Sequence, residues 1–315
     1  KNYVSYMRGY DPNTFPIKYF EAEKDINHPK QDMLKSKNKI EKLESEEYKF
    51  QYSIMKGKQL EMYTANKNNL ANSDRDIQNR IQLSNIVYPN DDNDPKMSKG
   101  KRGFLNNFQK QDGKLLKVKY SGKNQFLKNT MLDNYSSKLF NILTNVSSAD
   151  GLVLVYSKYL YSGIIPCAIA LEHIGFNKYN RNNILIDKDK IVSKGSSYII
   201  LTAEESISPN NAEELTKFND ETNNKGQHIK VALINEIAAE GVSFKNVREV
   251  HILEPWYNMN KIEQIIGRGV RFYSHHTLPE EERNVSVFLH TNIDNSDQET
   301  VDYRRYRMSL NKQEK

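Results

Sequence analysis

The run Gln264-Ile265-Ile266-Gly267-Arg268-Gly269-Val270-Arg271 sets an amide and two guanidiniums at i, i+4 and i+7. On a helix that spacing puts all three side chains on one face. A guanidinium offers a fixed fork of donors that suits phosphate oxygens, so the chemistry implied is recognition of a polyphosphate. Gly267 and Gly269 each cost about 1 kcal/mol relative to Ala inside a helix. They make sense where a ligand or another backbone comes close. The plain alternative is a solvated helix face that happens to carry arginines.

The elements that must position this run alternate between strand and helix patterns. The apolar runs 152–156 and 198–201, and the stretches 228–234, 250–253 and 285–290, read as strands, the first as a strand buried on both faces. Helix patterns at about 162–173, 211–219, 236–240 and 258–272 fall between them, and Gly175 is a good stop for the first. Such alternation implies an α/β fold, a parallel sheet with helices on both faces. Ligands then gather at the carboxyl ends of the strands. Residues 1–30 are rich in aromatics and Pro and read as irregular, partly extended chain. Residues 30–63 read as one or two amphipathic helices. Residues 89–125, with an acidic run at 91–94 and several glycines, read as a mobile insertion or linker.

Gln-x-x-Gly-Arg-x-x-Arg resembles motif VI of superfamily 2 helicases. Ile234-Asn235-Glu236 through Glu240-Gly241-Val242-Ser243 looks like motif V, and Val153-Leu154-Val155-Tyr156-Ser157 resembles motif IV. Asn246 to Asn258 follows at the family's spacing. Within that superfamily the chain is similar to helicases of nucleocytoplasmic large DNA viruses, including relatives of the poxvirus early transcription factor small subunit. That likeness extends to Tyr135-Ser136-Ser137-Lys138-Leu139, Ser274-His275, Leu278-Pro279 and Arg283, and more weakly to Ser5–Gly9 and Arg80–Pro89.

The resemblance implies a RecA-like C-terminal motor domain over 135–295. It is preceded by a bridging region, 1–134, that is irregular and partly helical, and followed by a tail or helix, 296–315. It implies that Arg268 and Arg271 act as catalytic arginine fingers on ATP. Gln264, Gly241 and Ser243 join them in holding the nucleotide, and Ser157, Asn235, Glu236 and Gly241 touch DNA or RNA. The chain departs from the whole motor in one respect. It has no Gly-x-x-x-x-Gly-Lys-Ser/Thr loop, and no apolar strand ends in an Asp-Glu pair. The phosphate cradle and the Mg²⁺ site belong to the first motor domain, so that domain is an expected partner and no metal ligand is assigned here. A scaffold subunit of a viral transcription complex, keeping the shape without the catalysis, is the rival reading.

The totals agree with this reading without deciding it. The formal charge is +6, a mild excess that suits a polyanion partner. One cysteine, Cys167, excludes an internal disulfide and fits a reducing, intracellular setting, which for a viral protein means a cytoplasmic factory or the virion. No apolar stretch approaches the ~20 residues that cross a bilayer. The chain begins with Lys1-Asn2 rather than Met, which is expected of a piece of something longer. Trp256 and Tyr257 read as helix packing before base stacking, and His275 and His276 as loop residues rather than metal ligands.

Overall fold

The computed structural model describes residues 14–21, 27–34, 38–43, 45, 47–67, 73–186, 196–236 and 241–313. In chain order these hold β1 (Ile17–Phe20), β2 (Gln51–Ile54), α1 (Gly57–Lys67), α2 (Asp74–Asn85), α3 (Gly100–Asn107), β3 (Phe108–Lys110), β4 (Val118–Tyr120), α4 (Asn129–Leu132), α5 (Ser137–Ser148), β5 (Leu152–Tyr156) and α6 (Ile165–His173). They continue with β6 (Asn177–Lys178), β7 (Ser197–Leu201), α7 (Asn211–Phe218), β8 (Ile229–Ile234), β9 (Val247–Ile252), α8 (Met259–Ile266), β10 (Asn284–Ile293) and α9 (Val301–Gln313).

The main sheet runs in the order β1-β10-β9-β5-β8-β7-β6, and β2 adds to β10. All of its pairings are parallel. The strand period of two sorts the side chains between two layers. Val153 and Val155 of β5, with Tyr198 and Ile200 of β7, face a layer made by α5 and α6. Leu152, Leu154 and Tyr156, with Ile199 and Leu201, face a layer made by α8 and α9, where Met259, Ile262, Ile265, Tyr303, Tyr306 and Leu310 pack. The expected α/β sheet with helices on both faces is the observed architecture.

Several expectations need correction. Among the described residues of 30–63 the one helix is α1, which begins at Gly57 and is preceded by β2 in the main sheet rather than by a second helix. The spaced Tyr48, Phe50 and Tyr52 bury against the α9 layer, so tertiary packing overrides a near-helical pattern. Residues 89–125 are no loose linker. They form α3 and the β3–β4 hairpin, and Phe104, Phe108, Leu116 and Val118 are buried in the main core. Strands from both sides of the expected boundary at 134/135 lie in one sheet. The expected helix of 258–272 stops at Ile266. The helical pattern at 236–240 falls, beyond Glu236, outside the described residues, as do Ser5–Gly9.

Candidate functional site

α8 begins at Asn258, whose side chain accepts from the Asn260 N–H at 2.8 Å. It ends because the chain tightens. The N–H of Arg268 donates to Ile265 O at 3.0 Å and that of Gly269 to Ile266 O at 3.0 Å, the i→i−3 spacing of a 3₁₀ turn. Gly269 has a packing reason: a Cβ there would stand 3.3 Å from Val247 Cβ and 3.6 Å from Val250 Cγ2 on β9. A methyl group there would need Val247 to give by a few tenths of an ångström.

Arg268 and Arg271 therefore sit on the turn after α8, and Gln264 is exposed on its last helical turn. The i, i+4, i+7 helix face expected from spacing is not what groups them. Capping contacts do that. The Arg271 side chain donates through Nε to Gly267 O at 3.2 Å and through a terminal nitrogen to the Ser243 hydroxyl. Its own N–H donates to Ser274 Oγ at 3.2 Å, and Ser274 Oγ returns a bond to Arg271 O at 2.8 Å. Arg268 donates to Val242 O at 3.4 Å, and the Phe244 N–H donates to Arg268 O at 2.9 Å.

The 242–245 loop is itself held. Asn219, at the end of α7, donates to Ser243 O at 2.8 Å and accepts from the Lys245 N–H at 2.8 Å. Phe244 is buried edge-on against Phe218. Gly241 is exposed with φ +80°, a left-handed conformation that favours glycine. The structure thus brings Arg268, Arg271 and Ser243 together, with Gly241 two residues away along the same loop. The hydrogen-bond partners of the two guanidiniums, Val242 O, Gly267 O and the Ser243 hydroxyl, are neutral, and among the described residues neither guanidinium has a carboxylate partner. Two guanidiniums held on neutral acceptors have the chemistry to meet an anion.

The strand-end residues fare differently. Ser157, just past β5, is buried, and its hydroxyl donates to the Glu254 carboxylate at 2.9 Å. A contact from that hydroxyl to a nucleic acid is not available in this arrangement. Asn235 is almost buried at the end of β8, where its N–H donates to Leu201 O at 3.4 Å. Glu236 is half-exposed, 3.9 Å from Lys261 Nζ. Trp256 packs in the core with the ammonium groups of Lys158 and Lys261 over its ring at 4.9 and 5.6 Å. Tyr257 is exposed. His275 is buried and bonded to Val247 O at 2.6 Å. Burial and two nearby arginines outweigh that bond and bring its pKa down to about 4, so the ring is a neutral structural group.

Sequence reading missed a buried polar cluster beside Ser157, past the carboxyl ends of β5 and β9. Lys138 Nζ lies 2.6 Å from Asp302 Oδ2 and donates to Asn85 Oδ1 at 3.1 Å and Leu253 O at 2.9 Å. Asn85 in turn donates to Glu254 at 2.8 Å, and the Lys158 N–H also donates to Glu254. Burial pushes the Glu254 carboxyl up to about 7 against the pull of these donors. Nothing in spacing flags four polar residues that lie so far apart in the chain. The signal available was that Lys138 and Asn85 fall in the two outlying stretches that carry the viral likeness.

A solved structure, the C-terminal part of the Fun30 ATPase domain, aligns over 55% of this chain and 45% of that one with a TM-score of 0.38 and 12% identity. So low a score leaves the fold to rest on the sheet itself. Residues 176–273 match the helicase conserved C-terminal domain. A protein of Acanthamoeba polyphaga mimivirus, named as an ATP-dependent RNA helicase, is 30% identical over 96% of this chain and 45% of its own length. The termination factor NPH-I homologue of African swine fever virus is 28% identical over 60% of this chain and 32% of its own length. The chain spans less than half the length of these relatives. It carries a match to the helicase conserved C-terminal domain on a RecA-like sheet and is similar to helicases of nucleocytoplasmic large DNA viruses.

Proposed function

We propose that this chain is the C-terminal half of an ATP-driven nucleic-acid motor. ATP and Mg²⁺ would be held by a first RecA-like domain that carries the phosphate loop and the acidic pair. Arg268 and Arg271, with Gln264 beside them, would meet the γ-phosphate across the cleft and stabilise the charge that develops on it. Gly241 and Ser243 would form the near wall of that cleft. Asn235, Glu236 and Gly241 would border the track for DNA or RNA, and Ser157 would shape that border from below through Glu254 and Lys158. Cleft opening and closing would step the strand. The names of the viral relatives support a place in transcription-related machinery within infected cells or virions.

The observation that carries this reading is the pinning of Arg271 to Ser243 while its charge has no carboxylate partner among the described residues. A transcription scaffold without catalysis would have no use for two guanidiniums held out on neutral acceptors. Two proteins test the proposal: the 315-residue chain, and a form extended upstream to include the first motor domain. The extended form should hydrolyse ATP in response to single-stranded nucleic acid, and the 315-residue chain should not. Robust turnover by the 315-residue chain, abolished by Arg271→Ala, would sink the proposed division of labour.

A further inference from the structure

Residues 95–102 read Pro-Lys-Met-Ser-Lys-Gly-Lys-Arg, four cations with no carboxylate between them. Lys96, Lys101 and Arg102 are exposed, as is Arg75 on the neighbouring α2. Among the described residues none of these side chains, nor Lys99, is in an ion pair. Lys99 donates to Pro95 O at 3.3 Å, and Lys101 Nζ lies 5.7 Å from the centre of the Tyr161 ring. Burial holds the Lys99 ammonium below its usual value. Asp94 opposes that shift, while Lys96, Arg102 and Arg75 add to it by repulsion. These charges are close enough to act on one another, and an unpaired group of like charges favours a polyanion.

A solvated lysine face is the ordinary explanation of such a run, and two features set this one apart. The first is rigidity. Tyr88 N–H donates to Ser98 O at 2.7 Å, and Phe104 is buried on Phe108 with ring centres 4.7 Å apart. Gly103 fits only without a side chain, since a Cβ would stand 2.7 Å from the Tyr88 ring. The second is placement. The Gly100 N–H donates to Ser162 Oγ at 2.9 Å, and Ser162 also bonds Gln82 of α2 at 3.2 Å. Ser162 lies in the helical turn Leu160–Ile164, which follows Ser157 and the exposed Lys158. The cations are therefore built onto the turn that leaves the carboxyl end of β5, where parallel sheets place their ligands.

We propose that Lys96, Lys101 and Arg102, with Arg75 beside them, form an accessory contact for the phosphate backbone of a nucleic acid, extending the track beyond the strand-end motifs. This rests on the reading of the chain as a nucleic-acid motor. Such contacts give affinity and salt dependence with little sequence preference.

The test is binding of a long fluorescent oligo-dT strand to the 315-residue chain across a salt series. The triple variant Lys96→Gln/Lys101→Gln/Arg102→Gln is compared with a control of equal charge loss, Lys110→Gln/Lys114→Gln/Lys119→Gln, on the exposed hairpin. Melting temperatures confirm that both fold. For single strands the log–log salt slope changes by about 0.7 per phosphate contact. The first variant should flatten the slope by about 2 and bind more weakly at low salt, and the control should match wild type. An unchanged slope in the first variant, or an equal loss in both, overturns the accessory contact alone. Failure of the wild-type chain to bind at any salt overturns the nucleic-acid reading beneath it.

Discussion

Arg271 is fixed by its backbone and its side chain together, and that fixity decides what its removal should do. A guanidinium whose orientation is fixed before the reaction would act in the transition state more than in ground-state binding. In a protein carrying both motor domains, Arg271→Ala should lower kcat by about 10³-fold or more, with a smaller effect on nucleotide affinity. Arg271→Lys should rescue little, because an ammonium cannot reproduce the planar fork whose separate nitrogens reach Gly267 O and the Ser243 hydroxyl. Arg268→Ala should behave similarly and Gln264→Ala more mildly. Nucleic-acid-stimulated ATPase rates within about twofold of wild type across this set would return the arginines to a solvated surface. Glu254 makes a second prediction at this scale. Its folded pKa, about 7, lies above the 4.5 of a free glutamate. The folded state therefore holds the proton more tightly, and the stability it contributes is complete below about 4.5 and lost as pH rises through about 7. Thermal melts from pH 5 to 8 should show a downward component in wild type that is absent in Glu254→Gln. Parallel profiles for the two proteins would refute it.

Among the elements, the strands were the most legible. β5 and residues 198–201 of β7 are continuous apolar runs because both faces are covered, and β8 is broken only by Lys230; such runs survive as a one-dimensional signal. Helix ends were less so. The run after Ile266 keeps a helical pattern, yet the chain tightens into a turn where Gly269 lies close to β9, a tertiary contact that spacing does not display. The stretch from 89 to 125 was misread for a related reason. Its core residues Phe104, Phe108, Val118 and Tyr120 are scattered among Gly, Lys and Asp, and strands of three residues are too short to show a period. Phe104 is 1% exposed and meets Tyr88, Phe108 and Tyr161. Phe104→Ala should cost about 3–5 kcal/mol in chemical denaturation. Limited proteolysis should then open 89–125 in the variant before it does so in wild type. A loss under about 1 kcal/mol would restore the linker reading.

The whole molecule is tied together by residues that lie far apart in the chain. Lys138 on α5, Asn85 on α2, Asp302 on α9 and Glu254 past β9 meet in one buried cluster. The cluster joins the helices of both layers to the strand end that holds the Lys158 turn. Its charges are fully buried, so their attraction is set against the loss of hydration. Removing one partner leaves an uncompensated charge, whereas replacing both by apolar groups is often neutral. Lys138→Ala or Asp302→Ala should each destabilise the chain by about 3–5 kcal/mol. Lys138→Met/Asp302→Leu should recover much of that loss, although Asn85 and the Ser84 hydroxyl, which also donates to Asp302, would each lose a partner. If the cluster also sets the Lys158 turn, the double variant should fold yet bind single-stranded nucleic acid more weakly. Stability and binding recovering together would confine the cluster to holding the fold, and single variants as stable as wild type would deny it even that.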